Sequence, residues 1–288
     1  MHVIINLNKP PGITSRAAVT KVQRLLGAKK AGHAGTLDPQ ATGVLLVCLN
    51  EATKVTRFLM DMPKQYKAKI KLGERTDTYD AEGRVIERKD ISFLSEAALF
   101  DAVRSFKGPI KQKPPMYSAV KIDGKTLYKL ARKGIEIDRP DRSVSIYDIE
   151  ITSIDMPCFD VTISCSKGTY IRSLCDDIGT KLGTGAHMAR LERTAVGEFH
   201  INNSFSFEDL DVNEKMFYSI DQALVKLPEI KLGEVDYQKA KNGVKIILEP
   251  HYLYNGEFVK MKDPAGNLFA IGRADSNTIS IERVLNLK

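Results

Sequence analysis

Residues 31–45, AGHAGTLDPQATGVL, set one imidazole and one carboxylate in a run that is otherwise uncharged and rich in glycine. Pro39 steers Asp38 toward an extended backbone. The same pair reads equally as a helix start, with Asp38 as the N-cap and proline at the first helical position. His33, with Gly32 before it and Gly35 two residues after, reads as a loop histidine bonded to backbone. Taken singly, neither residue separates a structural role from a chemical one, so the surrounding chain has to decide.

Before this run, residues 15–26 place Val19, Val22, Leu25 and Leu26 at helical spacing, after Ser/Thr and before Gly27. After it, residues 44–49 form a short buried strand, and Asn50 caps a predicted helix with Ala52, Val55, Phe58, Leu59 and Met62 as its stripe. In QYKAKIKLG, Tyr66, Ala68, Ile70 and Leu72 alternate with lysines, which predicts a strand with one buried and one basic face. Residues 95–107 form an amphipathic helix. A Pro-rich basic stretch follows at about 110–134, with a short helix predicted to carry Lys125, Lys129 and Arg132 on one face as contacts for phosphates; a solvated surface excursion fits the same pattern.

Residues 143–154 and 159–165 alternate as strands. A helix then carries Ile171, Leu174, Cys175, Ile178 and Leu182 inward, which leaves Tyr170 and Arg172 off the apolar face in its first turn. A cation there opposes the helix dipole, so Arg172 calls for an anionic partner. From about residue 228 the chain turns to short strand-like runs broken by Asn255-Gly256 and by residues 263–267. The expected class is α+β: a mixed, mostly antiparallel sheet flanked by helices over 1–227, with an insertion at 110–134, and a small all-β domain over 228–288.

Composition is compatible with this. With 288 residues, 43% of them hydrophobic, the chain can bury a sizeable core. Lys and Arg outnumber Asp and Glu by 43 to 36, a net charge of +7 that suits a polyanionic partner without proving one. The cysteines form no C-x-x-C pair and the five histidines are scattered, which argues against zinc and disulfides and toward a reducing cytoplasm. No segment reads as a signal peptide or a membrane span.

Four motifs occur in order: KPPGITS at 9–15, GHAGTLDPQATGVL at 32–45, QYKAKIKLGERTDTYDAEG at 65–83 and KGTYIRSLCDDIG at 167–179. Together with PPMYSAVKIDGKTLYKLARKG at 114–134, they resemble the TruB family of tRNA pseudouridine synthases. The resemblance implies the pseudouridine synthase fold and isomerisation of uridine 55 in the T arm of tRNA. By the same resemblance, Asp38 falls on the catalytic aspartate, Tyr66 on the tyrosine that stacks on the target uracil, and Arg172 on the arginine that pairs with the aspartate. Tyr170 matches a further active-site tyrosine, His33 the histidine that helps to extrude the base, and Leu191 an apolar residue of the uracil pocket. Lys9 and Pro10 match a pair that supports the catalytic loop. Glu192 stands where many relatives carry arginine, a departure that could weaken a local RNA contact. Residues 229–288 resemble a PUA domain less specifically.

The chemistry needs no cofactor and no metal: a bond from ribose C1′ to uracil N1 breaks, the base turns, and a bond to C5 replaces it. A carboxylate can assist by attacking C1′, by attacking C6, or by taking a sugar proton. A glycosidase usually needs two carboxylates, and the Asp38 motif holds one. Arg172 is expected to hold Asp38 ionised and to lower its pKa. The expected partner is the T stem-loop of tRNA, bound by a monomer without a guide RNA. The weighed alternatives are a non-enzymatic RNA-binding protein, a guide-dependent pseudouridine synthase and a nucleoside N-glycosidase.

Overall fold

The computed structural model describes residues 1–118, 121–122, 124–131, 134–211, 217–247 and 255–287. A 10-stranded sheet organises the larger part of the chain. Its main path runs Tyr218–Ser219, Val3–Lys9, Thr42–Leu49, Ala186–Val196, Lys64–Leu72, Cys158–Cys165, Arg142–Asp155 and Gly108–Gln112. Every adjacent pair on this path is antiparallel except Thr42–Leu49 against Ala186–Val196. The sheet is therefore mixed and mostly antiparallel, as expected.

Helices Ser15–Leu25, Glu96–Arg104 and Ile171–Lys181 bury their apolar stripes in one core with the sheet, through Val19 and Val22, Leu99 and Val103, and Leu174 and Ile178. Thr14 and Ser95 cap the first two through side chains that accept from the amides of Ala17 and Ala98, which satisfies donors that helix ends leave open. A second core, built on Val44, Leu46, Phe58 and Leu59, takes in Leu268, Ile271 and Leu285 and so seats the C-terminal part on the sheet. Arg57 reinforces that seat, paired with Glu282 at 2.8 Å and lying over the Phe58 and Phe258 rings.

Several expectations change. Asp38 starts no helix; residues 36–41 form a loop with a turn closed by the Ala41 amide on the Asp38 carbonyl. Asn50 does not cap a regular helix. Its φ is 52°, its side chain accepts from the Lys30 amide and donates to the Met1 carbonyl, and the 3₁₀ turn Asn50–Val55 precedes a helix at Thr56–Asp61. A side chain spent on tying two other segments is not free to cap. Lys125 lies in a two-residue strand paired with Lys121–Ile122, while Lys129 lies in the helix Leu127–Ala131, so the two do not share a helix face. Arg132 lies outside the described residues. Among its described residues the C-terminal part holds a 5-stranded sheet together with one helix, Glu234–Lys241, that the strand-like texture hid.

Candidate active site

Asp38 sits on a loop whose backbone is held from three directions. The Ser15 hydroxyl takes both sides of Leu37, donating to its carbonyl at 2.9 Å and accepting from its amide at 2.8 Å. Lys9, fully buried, donates to the carbonyls of Pro10, Ile13 and Pro39 at 2.8, 2.9 and 2.9 Å. Arg193, 1% exposed in the central strand Ala186–Val196, donates to the carbonyls of Gly35, Thr36 and Val44 at 3.1, 3.4 and 2.7 Å. The residues on either side of Asp38 are thus fixed by side chains of other elements, and its own side chain stays one-third exposed.

Gly43 allows this close fit. Its φ is 98° and a Cβ there would run into the backbone of Arg193. Only glycine lets the loop enter its strand so near the neighbouring chain.

Arg172 lies in the first turn of Ile171–Lys181 and is 5% exposed. Its Nε donates to Asp38 Oδ2 at 2.9 Å and Nη2 to Asp38 Oδ1 at 3.3 Å. Nη2 also donates to the Tyr117 carbonyl at 2.7 Å, and Nη1 to the Thr78 carbonyl and Asp80 Oδ2, each at 3.3 Å. The anionic partner inferred for Arg172 from its place at a helix start is Asp38, with Asp80 beside it.

Asp80 went unread in the sequence because it lies in a different motif, 42 residues beyond Asp38. Both of its oxygens are engaged: Oδ1 accepts from Thr78 Oγ1 at 2.6 Å and from the Glu82 amide at 3.1 Å, while Oδ2 meets Arg172. A carboxylate so held orients the guanidinium and is not free as a second acid. Its turn contains Tyr79 at φ 63°, a conformation that a bulky residue adopts only when its surroundings hold it. The Met188 amide on the Tyr79 carbonyl and the Ala81 amide on the Met188 carbonyl supply that hold.

The charge balance at Asp38 differs from expectation. Burial pushes its carboxyl above the ordinary aspartate range; Arg172 pulls it down, Asp80 and Glu82 push it up, and Lys9 pulls it down. Arg172 acts in the expected direction and is outweighed. Lys9 is itself pushed down to about 8, chiefly by burial.

Tyr66 is 8% exposed in the main core with Leu191, and it pairs in register with Arg193 across adjacent strands. Burial pushes its phenol pKa up, against the pull of the nearby Arg193 guanidinium, so the hydroxyl stays protonated. Tyr66 is therefore a core residue that lies within electrostatic reach of Asp38. His33 is half-buried and burial lowers its pKa; it ends the short strand Ala31–His33 rather than lying in a loop, and the expected bond to backbone is not made at its Nδ1, which is enclosed without a hydrogen-bond partner. Tyr170 is half-buried immediately before its helix rather than inside it. Pro10 contributes its carbonyl to Lys9. Glu192 is half-buried, in register with Lys67. Lys125 and Lys129 are exposed on the arm.

Arg193 has no role in the reading of the sequence above. Its signal was present: it alternates with Leu191 and Ala195, so a strand there must turn a charge toward the apolar side. Among the described residues no group of three or more His, Cys, Asp or Glu could hold a metal ion, and no helix is long and apolar enough to cross a membrane.

Two family models match consecutive parts of the chain. "TruB family pseudouridylate synthase (N terminal domain)" matches residues 23–171, and "tRNA pseudouridylate synthase B C-terminal domain" matches residues 172–226. A tRNA pseudouridine synthase B of Clostridium tetani is 48% identical over 248 residues, covering 85% of this chain and 86% of the relative. One from Clostridium perfringens is 42% identical over 291 residues, covering 99% of both. Among solved structures, one described as a Cbf5-Nop10-Gar1 complex superposes with a TM-score of 0.77 at 28% identity, covering 98% of this chain and 84% of that one. With a family model over more than half its length and relatives this similar over nearly all of it, the chain belongs to the TruB family of tRNA pseudouridine synthases, which are isomerases.

Proposed function

We propose that this protein converts uridine 55 in the T loop of tRNA to pseudouridine, with Asp38 as the catalytic carboxylate. What supports this above all is the pairing of Asp38, whose side chain is one-third exposed, with a buried Arg172, next to the buried Tyr66. The relatives named tRNA pseudouridine synthase B support tRNA as the substrate.

The reaction has to extrude the base, break C1′–N1, turn the uracil and join C5 to C1′, after which C5 loses its proton. Arg172 binds and aims Asp38 and, with every donor already engaged, cannot drift from it. Tyr66 offers an aromatic face to the extruded uracil, and Leu191 an apolar wall. Tyr170 lines the same site, and His33 assists extrusion as a neutral imidazole. Lys9 and Pro10 hold the loop. Lys125 and Lys129, with Arg132, bind phosphates from the arm.

In this account residues 1–227 form the catalytic domain and 228–288 a PUA-like RNA-binding domain, and the enzyme acts as a monomer in the cytoplasm without a guide RNA or cofactor. The basic arm at 110–134 supports independence from a guide, because it supplies the grip on RNA from this chain itself.

The test is tritium release from a tRNA transcript carrying C5-labelled uridine, with purified protein alone, beside a transcript in which uridine 55 is cytidine. Release from the first and none above background from the second is expected. Equal release from both, or release only when another RNA is added, would contradict the assignment.

A further inference from the structure

The root of the basic arm is bonded to the start of the helix that carries Arg172. Gln112, the last residue of the strand Gly108–Gln112, is 2% exposed. Its carboxamide makes two bonds to a single residue: Nε2 donates to the Tyr170 carbonyl at 2.9 Å, and Oε1 accepts from the Tyr170 amide at 2.7 Å. The side chain thus imitates the paired bonds by which one strand grips another. Next to it, Ser173 Oγ donates to the Lys113 carbonyl at 3.0 Å, and Arg172 Nη2 donates to the Tyr117 carbonyl at 2.7 Å. All these bonds fall between residues 112–117 and residues 170–173.

The helix needs this support. Ile171–Lys181 has no side-chain cap at Tyr170 and no acidic residue in its first turn. The open donors at a helix start must be met from somewhere, and here a residue of the arm's root meets the Tyr170 amide. That turn also carries a buried cation, which the helix dipole disfavours. Its placement therefore depends on contacts from outside the helix.

We propose that Gln112 is a positioning residue: it joins the arm's root and the first turn of Ile171–Lys181 into one unit, so that an arm engaged by RNA sets the aim of Arg172 on Asp38. This rests on the reading of the chain as a pseudouridine synthase and extends it, because the arm then does more than hold phosphates. Asp38 is faced by Arg172 from this helix, by Asp80 and Glu82 from the turn after Glu74–Thr76, by Lys9 from Val3–Lys9, and by Tyr66 from Lys64–Leu72. Arg172 is the strongest of the groups that favour its ionised form. Loosening Arg172 moves the pKa of Asp38 upward, and with it the acid limb of the rate.

The test compares wild type with Gln112→Met, which fills the same space without either bond, and Gln112→Glu, which keeps the acceptor for the Tyr170 amide and loses the donor. Single-turnover conversion of C5-tritiated tRNA is measured at saturating enzyme across roughly pH 5 to 9, a range that spans a raised carboxylate pKa, with the Kd for tRNA and the thermal midpoint alongside. For Gln112→Met the expected result is a rate lowered about tenfold or more at neutral pH, in keeping with what a small misplacement does to a reacting group. Its acid limb should lie at higher pH while Kd stays near the wild-type value, with Gln112→Glu between the two. If Gln112→Met melts below the assay temperature, Gln112→Glu must show the slower rate and the shifted limb by itself. A folded variant with wild-type rate and acid limb, or a defect confined to Kd, would overturn the positioning role and leave the reaction standing. Wild-type protein that converts no tRNA would overturn the reaction and the positioning role together.

Discussion

Arg172 and Asp38 meet through two nitrogens and two oxygens, at 2.9 Å between Nε and Oδ2 and 3.3 Å between Nη2 and Oδ1. The two partners are not equally placed. Arg172 is 5% exposed and keeps Asp80, the Thr78 carbonyl and the Tyr117 carbonyl whatever happens at Asp38, whereas the Asp38 side chain is 33% exposed.

This asymmetry predicts that Asp38→Asn loses no stability. The folded-state pKa of Asp38 is raised above 3.8, so its contribution to stability is fully present below the unfolded value and is lost as pH rises through the folded one. At neutral pH the charge is a liability to the fold. The thermal midpoint of Asp38→Asn is expected to be no lower than that of wild type at pH 7, with any gain vanishing below about pH 4, where the wild-type group is protonated as well. A midpoint several degrees lower would mean that the ion pair is a structural element.

Asp80→Asn should separate the two carboxylates by pH. Asp80 raises the pKa of Asp38, so removing its charge moves the acid limb of the rate to lower pH. The same change weakens one hold on Arg172, so the rate at neutral pH is expected to fall about tenfold, the effect of roughly 1.4 kcal/mol. An acid limb that stays in place would show that the Asp80 charge does not reach the reacting carboxylate.

Much of this was legible in the sequence. Tyr66, Ala68, Ile70 and Leu72 alternate cleanly because one face of their strand is buried, and the helix bearing Arg172 shows its stripe for the same reason. The Asp38 loop was recognisable as a motif, yet its geometry was not, because Ser15, Lys9 and Arg193 reach it from remote parts of the chain. Ala186–Val196 was obscured as a strand by His187, Arg190, Glu192 and Arg193, charged or polar residues that a central strand tolerates only with partners or bulges that no local pattern announces. Asp80 and Gln112 were missed because their significance lies in which backbone or guanidinium they touch.

Arg193 offers a direct test of how the loop is held. Among the described residues no carboxylate pairs with it, and its donors go to three carbonyls. Arg193→Met leaves those carbonyls buried and unmet, at about 1–3 kcal/mol for each group. Relief of an unpaired buried charge offsets part of this, so a net loss of about 2 kcal/mol or more is expected in denaturant unfolding, with turnover falling further than the unfolded fraction explains. Retention of both stability and turnover would remove Arg193 from the account.

Lys125 and Lys129 are tested through the salt dependence of RNA binding. Replacing both with alanine should weaken tRNA binding and flatten the dependence of log K on log salt by roughly one to two units, since each phosphate contact contributes about 0.7 to 0.9. An unchanged salt slope would mean that these exposed lysines do not touch phosphate.

The claim that one carboxylate does the chemistry is tested most directly by measuring, on one preparation of Asp38→Asn, both the Kd for unmodified tRNA and single-turnover tritium release. Binding as tight as wild type with no release above background is the predicted result. Release within about tenfold of wild type, a barrier change of only about 1.4 kcal/mol, would contradict it and return Asp38 to the role of a loop residue.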